Sequence, residues 1–140
     1  MDSIKAFFER DQFAARNGIS LLEVRPGYAK AQMRVEEHHF NGYRIAHGGA
    51  IFTLADFAFA AACNSHGTVA VAVNVNISFV KAAAAGMLLA EAREVSRGPK
   101  LSSYTVHVTN EAGDLVAVFQ GLSYSKKETL ADVLAQAPKA

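Results

Sequence analysis

The sequence contains little of several features that whole classes of protein require. Among 140 residues only Cys63 is a cysteine, so an internal disulfide is excluded and a reducing compartment is favoured. The formal net charge is +1 at pH 7, whereas nucleic-acid-binding domains usually have a strong basic excess. No apolar run reaches the roughly 20 residues of a membrane span, and the first residues, MDSIKAFFERD, are acidic too early for a signal peptide. We therefore expect a cytoplasmic protein that binds neither nucleic acid nor membranes.

The sequence also lacks the ligand spacing of a metal site. His38 and His39 are adjacent, so in an extended chain their side chains point to opposite sides. No cysteine or carboxylate follows at a spacing that would complete a set of ligands. We expect no bound metal.

The length and the hydrophobic pattern predict one domain over 1–140 with a substantial core, because a chain of this size buries about two-thirds of its unfolded surface. The predicted elements are a helix over Ser3–Arg16 capped by Ser3, strands over Ile19–Val24 and Tyr28–Val35, a buried helix within His47–Cys63, strands over Thr68–Val80, Met87–Ser96, Leu101–Thr109 and Leu115–Tyr124, and a short helix over Thr129–Ala137. In the first helix Asp11 is interpreted as a solvated flank, and a site residue is the alternative. The order of elements favours an α+β fold in which a long antiparallel sheet wraps around the buried helix.

The stretch His47–Cys63, HGGAIFTLADFAFAAAC, is the most informative part of the chain. From Ala50 to Cys63 only Thr53 and Asp56 are polar, so a helix here is apolar on all sides and should be buried. The glycines after His47 leave backbone N–H donors and the positive end of the helix dipole open to a ligand. Asp56 is either a hydrogen-bonded structural carboxylate or the group that attacks a carbonyl or activates water. The thiol of Cys63, by contrast, is interpreted as a packed side chain.

A second candidate site is the predicted strand Thr68–Val80, in which valines alternate with small and amide-bearing residues. One face carries Asn74 and Asn76. These amides either line a polar site or pack against a neighbouring subunit.

The chain resembles the hotdog-fold acyl-CoA thioesterases of the phenylacetate-degradation (PaaI) type from about Phe8 to Tyr124. The resemblance is carried by Asn41-Gly42, His47-Gly48-Gly49, Asp56 within an apolar helix, and Asn64-Ser65. It implies a hotdog fold, hydrolysis of CoA thioesters that often carry aryl or arylacetyl groups, no cofactor, and dimers that pair into tetramers.

The resemblance also implies roles for individual residues. The catalytic carboxylate falls on Asp56, and the oxyanion-binding backbone N–H falls on Gly48 with His47 beside it. Relatives of this type have an Asn in the first helix near the thioester, whereas this chain has Arg10 followed by Asp11. We do not transfer the role of that Asn to Arg10.

The spacing of the two central residues has a consequence for assembly. Gly48 and Asp56 are eight positions apart, which is about 12 Å along a helix. Both cannot reach one thioester carbon within a single subunit. Two antiparallel copies of the helix at a two-fold axis bring Gly48 of one chain to Asp56 of the other, which predicts an obligate dimer.

The leading hypothesis is therefore thioester hydrolysis, with Asp56 as nucleophile or general base. Gly49, Asn41, Asn74 and Asn76 are candidate substrate contacts. The candidate contacts for the CoA phosphates are Lys81, Arg97 and Lys100. Two alternatives remain: a hotdog dehydratase or hydratase that uses His47 with a carboxylate, and an acyl-CoA-binding module without turnover.

Overall fold

The computed structural model describes residues 1–136, and its largest element is a six-stranded antiparallel sheet. The strands are β1 (Ile19–Arg25), β2 (Tyr28–Arg34), β3 (Thr68–Phe79), β4 (Met87–Arg97), β5 (Leu101–Thr109) and β6 (Leu115–Thr129). They lie in the order β1-β2-β4-β5-β6-β3, so β3 forms one edge of the sheet although it is the third strand along the chain.

The helix α3 (Gly48–Cys63) packs on one face of this sheet. Nine of its 16 residues are buried, which is expected for a helix with apolar residues on every side. Its approach to the sheet is close because Gly121 of β6 has no side chain: a Cβ there would lie only 2.5 Å from Cε1 of Phe59. The predicted antiparallel sheet around a long buried helix is confirmed.

The N-terminal segment differs from the prediction. The single helix expected over Ser3–Arg16 is two helices, α1 (Asp2–Glu9) and α2 (Gln12–Arg16). The break follows from Asp11, whose side chain accepts the Ala14 N–H at 2.9 Å and so begins a new helix. Asp11 is therefore a capping residue and not only a flank, and Ser3 is not the cap, because α1 begins after Met1 without a side-chain cap.

Strand β3 also departs from its predicted regularity. The pairing with β6 shifts register between Ala72 and Asn74, so the expected unbroken alternation is interrupted there. Val75 and Ile77 pack against the core, whereas Val73 and Phe79 are more than half exposed. The edge strand thus carries apolar side chains that the described chain does not cover.

At the C-terminal end, β6 continues to Thr129, beyond the predicted end at Tyr124. Thr129 then caps α4 (Leu130–Ala135) by accepting the Asp132 N–H at 3.1 Å. Ala137, the predicted end of this helix, lies outside the described residues. None of the helices within residues 1–136 is long and apolar enough to cross a membrane.

Candidate active site

The N-terminus of α3 leaves one backbone donor free. The Nδ1 atom of His47 accepts the Gly49 N–H at 2.8 Å, and the His47 carbonyl accepts the N–H groups of Ala50 and Ile51 at 2.9 and 3.2 Å. Gly48, the first residue of the helix, has no partner inside it, and no acceptor elsewhere in residues 1–136 binds its N–H. The Gly48 N–H is therefore available to a ligand oxygen at the positive end of the helix dipole.

A groove of about 410 Å³ adjoins this donor. The ring of Phe79 forms one wall, close enough that a Cβ on Gly48 would lie 3.1 Å from its Cζ. Asn41 and Lys81, two of the predicted substrate contacts, also line the groove. The structure thus brings Gly48, Asn41 and Lys81 together.

The polar groups of these two side chains are already partly engaged. Asn41 Oδ1 accepts the N–H groups of Tyr43 and Ile45 at 2.9 and 3.4 Å and so shapes the loop before α3. Lys81 Nζ lies 2.6 Å from Asp114 Oδ2 in an exposed ion pair. This hydrogen bond lowers the pKa of the Asp114 carboxyl. A substrate contact by Lys81 therefore competes with this pair or extends it.

Asp56 lies two turns further along α3 and is half-buried. Burial raises the pKa of its carboxyl above the ordinary range of aspartate, and the negative charge of Asp11 raises it further. Within residues 1–136 no hydrogen bond stabilises the charged form. A half-buried carboxylate with a raised pKa and free oxygens is the pattern of a base or a nucleophile more than of a structural carboxylate.

His47 and Gly49 face a different hollow, of about 200 Å³, which Thr53 also lines. The Gly49 N–H is held by His47, so Gly49 cannot offer it to a substrate without breaking that bond. Because Nδ1 accepts a hydrogen bond, a neutral His47 carries its proton on Nε2. Its ring therefore acts as a helix cap, and its Nε2 makes no hydrogen bond within residues 1–136.

The remaining predicted contacts lie elsewhere. Asn74 and Asn76 flank Val75, which pairs with Gly121 on the face toward α3, so both amides point to the opposite face of the sheet. They line an open hollow of about 260 Å³ there. In one chain this hollow is separated from Gly48 and Asp56 by the thickness of the sheet.

Arg97 is the last residue of β4, and Lys100 lies in the turn between β4 and β5. This turn is at the end of the sheet near the C-terminus of α3, whereas Lys81 is at the end near Gly48. The ten-residue step from Met87 to Arg97 along β4 spans about 33 Å. The three cations therefore do not form one patch within a single chain.

Sequence reasoning missed the roles of two residues next to the site. Asp11 caps α2, and its charge raises the pKa of Asp56. An Asp immediately before a helical segment is a helix-start signal that could have identified it. His39 is buried and makes hydrogen bonds to Asn17, Glu36 and His47, and no local pattern in the sequence indicates these bonds.

The site uses neither the cysteine nor a metal-binding cluster of the described chain. Cys63 is buried, and burial raises the pKa of its thiol to about 12, which fits the predicted packed side chain. Within the described part of the chain no group of three or more His, Cys, Asp or Glu side chains is arranged to hold a metal ion.

Comparison with known proteins gives consistent similarities. Residues 43–117 match the family described as Thioesterase superfamily. The chain is 47% identical over 109 residues to a putative esterase of Archaeoglobus fulgidus, covering 77% of this chain and 71% of that protein. It is 38% identical over 120 residues to the acyl-coenzyme A thioesterase PaaI of Escherichia coli, covering 85% and 86% of the two chains.

The same similarity holds in three dimensions. The solved structure of the E. coli PaaI protein, from the phenylacetic acid degradation operon, superposes with a TM-score of 0.88 at 36% identity and covers 91% of this chain and 94% of that one. A Streptococcus mutans protein bound to acetyl CoA superposes with a TM-score of 0.76 at 27% identity, covering 79% and 90% of the two chains.

Proposed function

Because the chain belongs to the thioesterase superfamily, in its PaaI-type group with the hotdog fold, we propose that Asp56 and the Gly48 N–H act together at a site shared by two copies of the chain. The reaction is the hydrolysis of an acyl-CoA thioester to a free acid and CoA. The observation that carries the assignment of residues is the Gly48 N–H, which is unpaired at the start of a buried helix whose most polar residue is Asp56.

In this mechanism the thioester carbonyl oxygen accepts a hydrogen bond from the Gly48 N–H. Charge develops on that oxygen as the carbonyl carbon becomes tetrahedral, and a fixed donor at a helix N-terminus stabilises it. When the intermediate collapses, the bond between carbon and sulfur breaks. The CoA thiolate then leaves and takes up a proton.

Asp56 supplies the attacking oxygen in one of two ways. As a general base it removes a proton from water, the hydroxyl oxygen bonds to the carbonyl carbon, and the protonated carboxyl returns the proton to the departing thiolate. As a nucleophile it forms a mixed anhydride that water then hydrolyses. The raised pKa of Asp56 suits both routes, because a more basic carboxylate is both a better base and a better nucleophile.

Two exposed surfaces support a site made from two copies. Phe52, Thr53, Asp56 and Ala60 are the partly exposed positions along one stripe of α3. The edge strand β3 adds the exposed side chains of Val73 and Phe79. A two-fold related copy would cover both surfaces and bring Gly48 of one chain to Asp56 of the other, which the spacing of about 12 Å within one helix does not allow.

The substrate contacts remain part of the proposal. Lys81 and Asn41, in the groove beside Gly48, are placed to meet the CoA moiety. The acyl group of the substrate is aryl, arylacetyl or medium-chain. Turnover of a panel of acyl-CoA substrates, measured with a thiol-trapping dye, shows which of these the enzyme prefers. The exposed amides of Asn74 and Asn76 are candidate contacts between two dimers in a tetramer. We further propose a cytoplasmic location, which fits the use of a single cysteine.

The experiment that tests the shared site mixes two inactive variants. Asp56→Asn removes the base, and Gly48→Pro removes the donor. A heterodimer of the two variants contains one site with both defects and one with neither. Activity should return toward half of the wild-type value per dimer, although neither parent is active.

The outcome depends on exchange of subunits, which native mass spectrometry of differently tagged chains verifies. Verified heterodimers that stay inactive would contradict the shared site. An Asp56→Asn variant that keeps most of the wild-type kcat would remove Asp56 from the mechanism.

A further inference from the structure

His39 lies in the loop that leads from β2 to α3, in a 3-10 turn over Glu37–His39. Its side chain is buried, with 2% of the residue exposed. Nδ1 accepts the Glu36 N–H at 2.9 Å, and the carbonyl of Asn17 lies 3.0 Å from Nε2. A carbonyl can only accept, so Nε2 carries a proton, while Nδ1 must be bare to accept the Glu36 N–H. Only the neutral Nε2–H tautomer satisfies both bonds.

The backbone of His39 connects this buried ring to the active site. Its carbonyl accepts the His47 N–H at 2.7 Å. The peptide that follows His47 contains the Gly48 N–H, and the carbonyl of that same peptide is held by the N–H groups of Ala50 and Ile51. Hydrogen bonds on both sides of His47 therefore fix its backbone angles, and these angles set the direction of the Gly48 N–H.

The surroundings of the His39 ring also favour its neutral form. Burial lowers the pKa of His39, and the neighbouring His38, whose ring centroid is 4.1 Å away, lowers it further. The hydrogen bond to Asn17 and the charge of Glu36 act in the opposite direction but are smaller. His47 is the other titratable group that lines the same hollow. A proton added to Nδ1 would face the Glu36 N–H, so the ring is built to stay neutral.

We propose that His39 is a positioning residue for thioester hydrolysis: its neutral Nε2–H ring anchors the loop whose carbonyl holds His47, and this anchor aims the Gly48 N–H at the substrate oxygen. The inference rests on the oxyanion role of Gly48 proposed above. His39 touches no substrate and acts only through the backbone. Its contribution should therefore appear in the transition state and depend on the presence of the Gly48 donor.

The test is a double-mutant cycle on kcat between His39 and Gly48. His39→Gln keeps a donor near the position of Nε2 but removes the acceptor for the Glu36 N–H. We expect it to lower kcat about tenfold with little change in KM, since a misaimed donor loses transition-state stabilisation more than ground-state binding. In the Gly48→Pro background the same substitution should change kcat less than twofold, because the donor that it misaims is already gone.

His38→Gln is the matched control. It changes the adjacent, exposed histidine in the same turn, and we expect wild-type kcat and KM. A tenfold loss from His39→Gln that persists in the Gly48→Pro background would overturn the positioning role and leave a general structural one. If Gly48→Pro alone keeps wild-type turnover, the oxyanion proposal fails first, and with it this inference.

A measurement on the unmodified enzyme covers the case in which His39→Gln does not fold. Nitrogen-15 NMR distinguishes the protonated ring from each neutral tautomer. We expect His39 to be in the Nε2–H form at every pH at which the enzyme is fully active. A cationic ring, or the Nδ1–H tautomer, in fully active enzyme would contradict the proposal.

Discussion

The substitution Gly48→Pro removes one hydrogen-bond donor and changes little else in the described fold. Gly48 is the first residue of α3, where proline is favoured because its missing N–H has no partner within the helix. The preceding residue, His47, has a ψ of 139°, which lies in the range that a following proline prefers. The N–H groups of Gly49, Ala50 and Ile51 keep their bonds to His47, so the cap of the helix survives.

The expected loss of activity follows from the number of donors. Since the next three N–H groups of α3 are occupied by His47, Gly48 supplies the only free one of these amides. Removing one oxyanion donor costs about 10²–10³ in kcat, or about 2.7–4 kcal/mol in transition-state stabilisation. We expect a loss of this size in kcat for an acyl-CoA substrate, measured by trapping the released thiol with a dye.

The matched control is Gly48→Ala, which retains the N–H. Its methyl group would lie 3.1 Å from Cζ of Phe79, a contact that a shift of the ring by a few tenths of an ångström relieves. Proline and alanine both add a Cβ beside Phe79 and differ in the donor, so alanine should keep kcat within about tenfold of the wild type. Equal losses in the two variants, at equal thermal stability, would refute the reasoning about the donor.

Three further predictions concern neighbouring features. Asp11→Asn keeps the helix cap but removes the negative charge that adds to the raised pKa of Asp56. The pKa of Asp56 should then fall, and the acid limb of the pH–kcat profile should move to lower pH. An unshifted limb would contradict this coupling. Arg44 has a φ of 60°, a left-handed conformation in which glycine avoids the strain that other residues carry. Arg44→Gly should therefore have a free energy of unfolding about 1 kcal/mol higher than that of Arg44→Ala in urea titrations. Equal midpoints would exclude that strain. Gly121→Ala should reduce the free energy of unfolding by about 1–3 kcal/mol in urea titrations, because its methyl group meets the buried ring of Phe59 at 2.5 Å. Phe59→Leu in the same chain should recover part of the loss. A wild-type midpoint for Gly121→Ala would contradict the close packing.

The parts of the fold that the sequence predicted are those with a strong local pattern. The apolar run after Gly49 predicted a buried helix, and the strands were identified by alternation and by turns rich in glycine. The break at Asp11 was missed because apolar residues continue at helical spacing across it, and the capping bond that divides the helix competes with that pattern only in three dimensions.

The candidate site was predictable where it depends on neighbours in sequence and not where it depends on strand order. Gly48 and Asp56 lie on one helix and His47 caps it, so their relation followed from the geometry of that helix. The alternation of β3 placed Asn74 and Asn76 on one face but could not say that this face points away from α3. The separation of Arg97 from Lys81 depends on how β4 and β3 run within the sheet, which no local pattern encodes.

The edge strand β3 has a consequence for the fate of newly made chains. From Thr68 to Phe79 it has no charged residue and no proline, and valine and isoleucine are frequent. An uncharged strand of this kind at an open edge pairs readily with strands of other molecules, and proteins usually protect such edges with lysine, proline or a bulge. Here the only such devices within the strand are two irregularities in its pairing with β6, one between Thr68 and Ala70 and one between Ala72 and Asn74. Variants that cannot bind the second copy leave this edge open and should therefore form aggregates and inclusion bodies. We expect a low yield of soluble protein from such variants and no stable monomer.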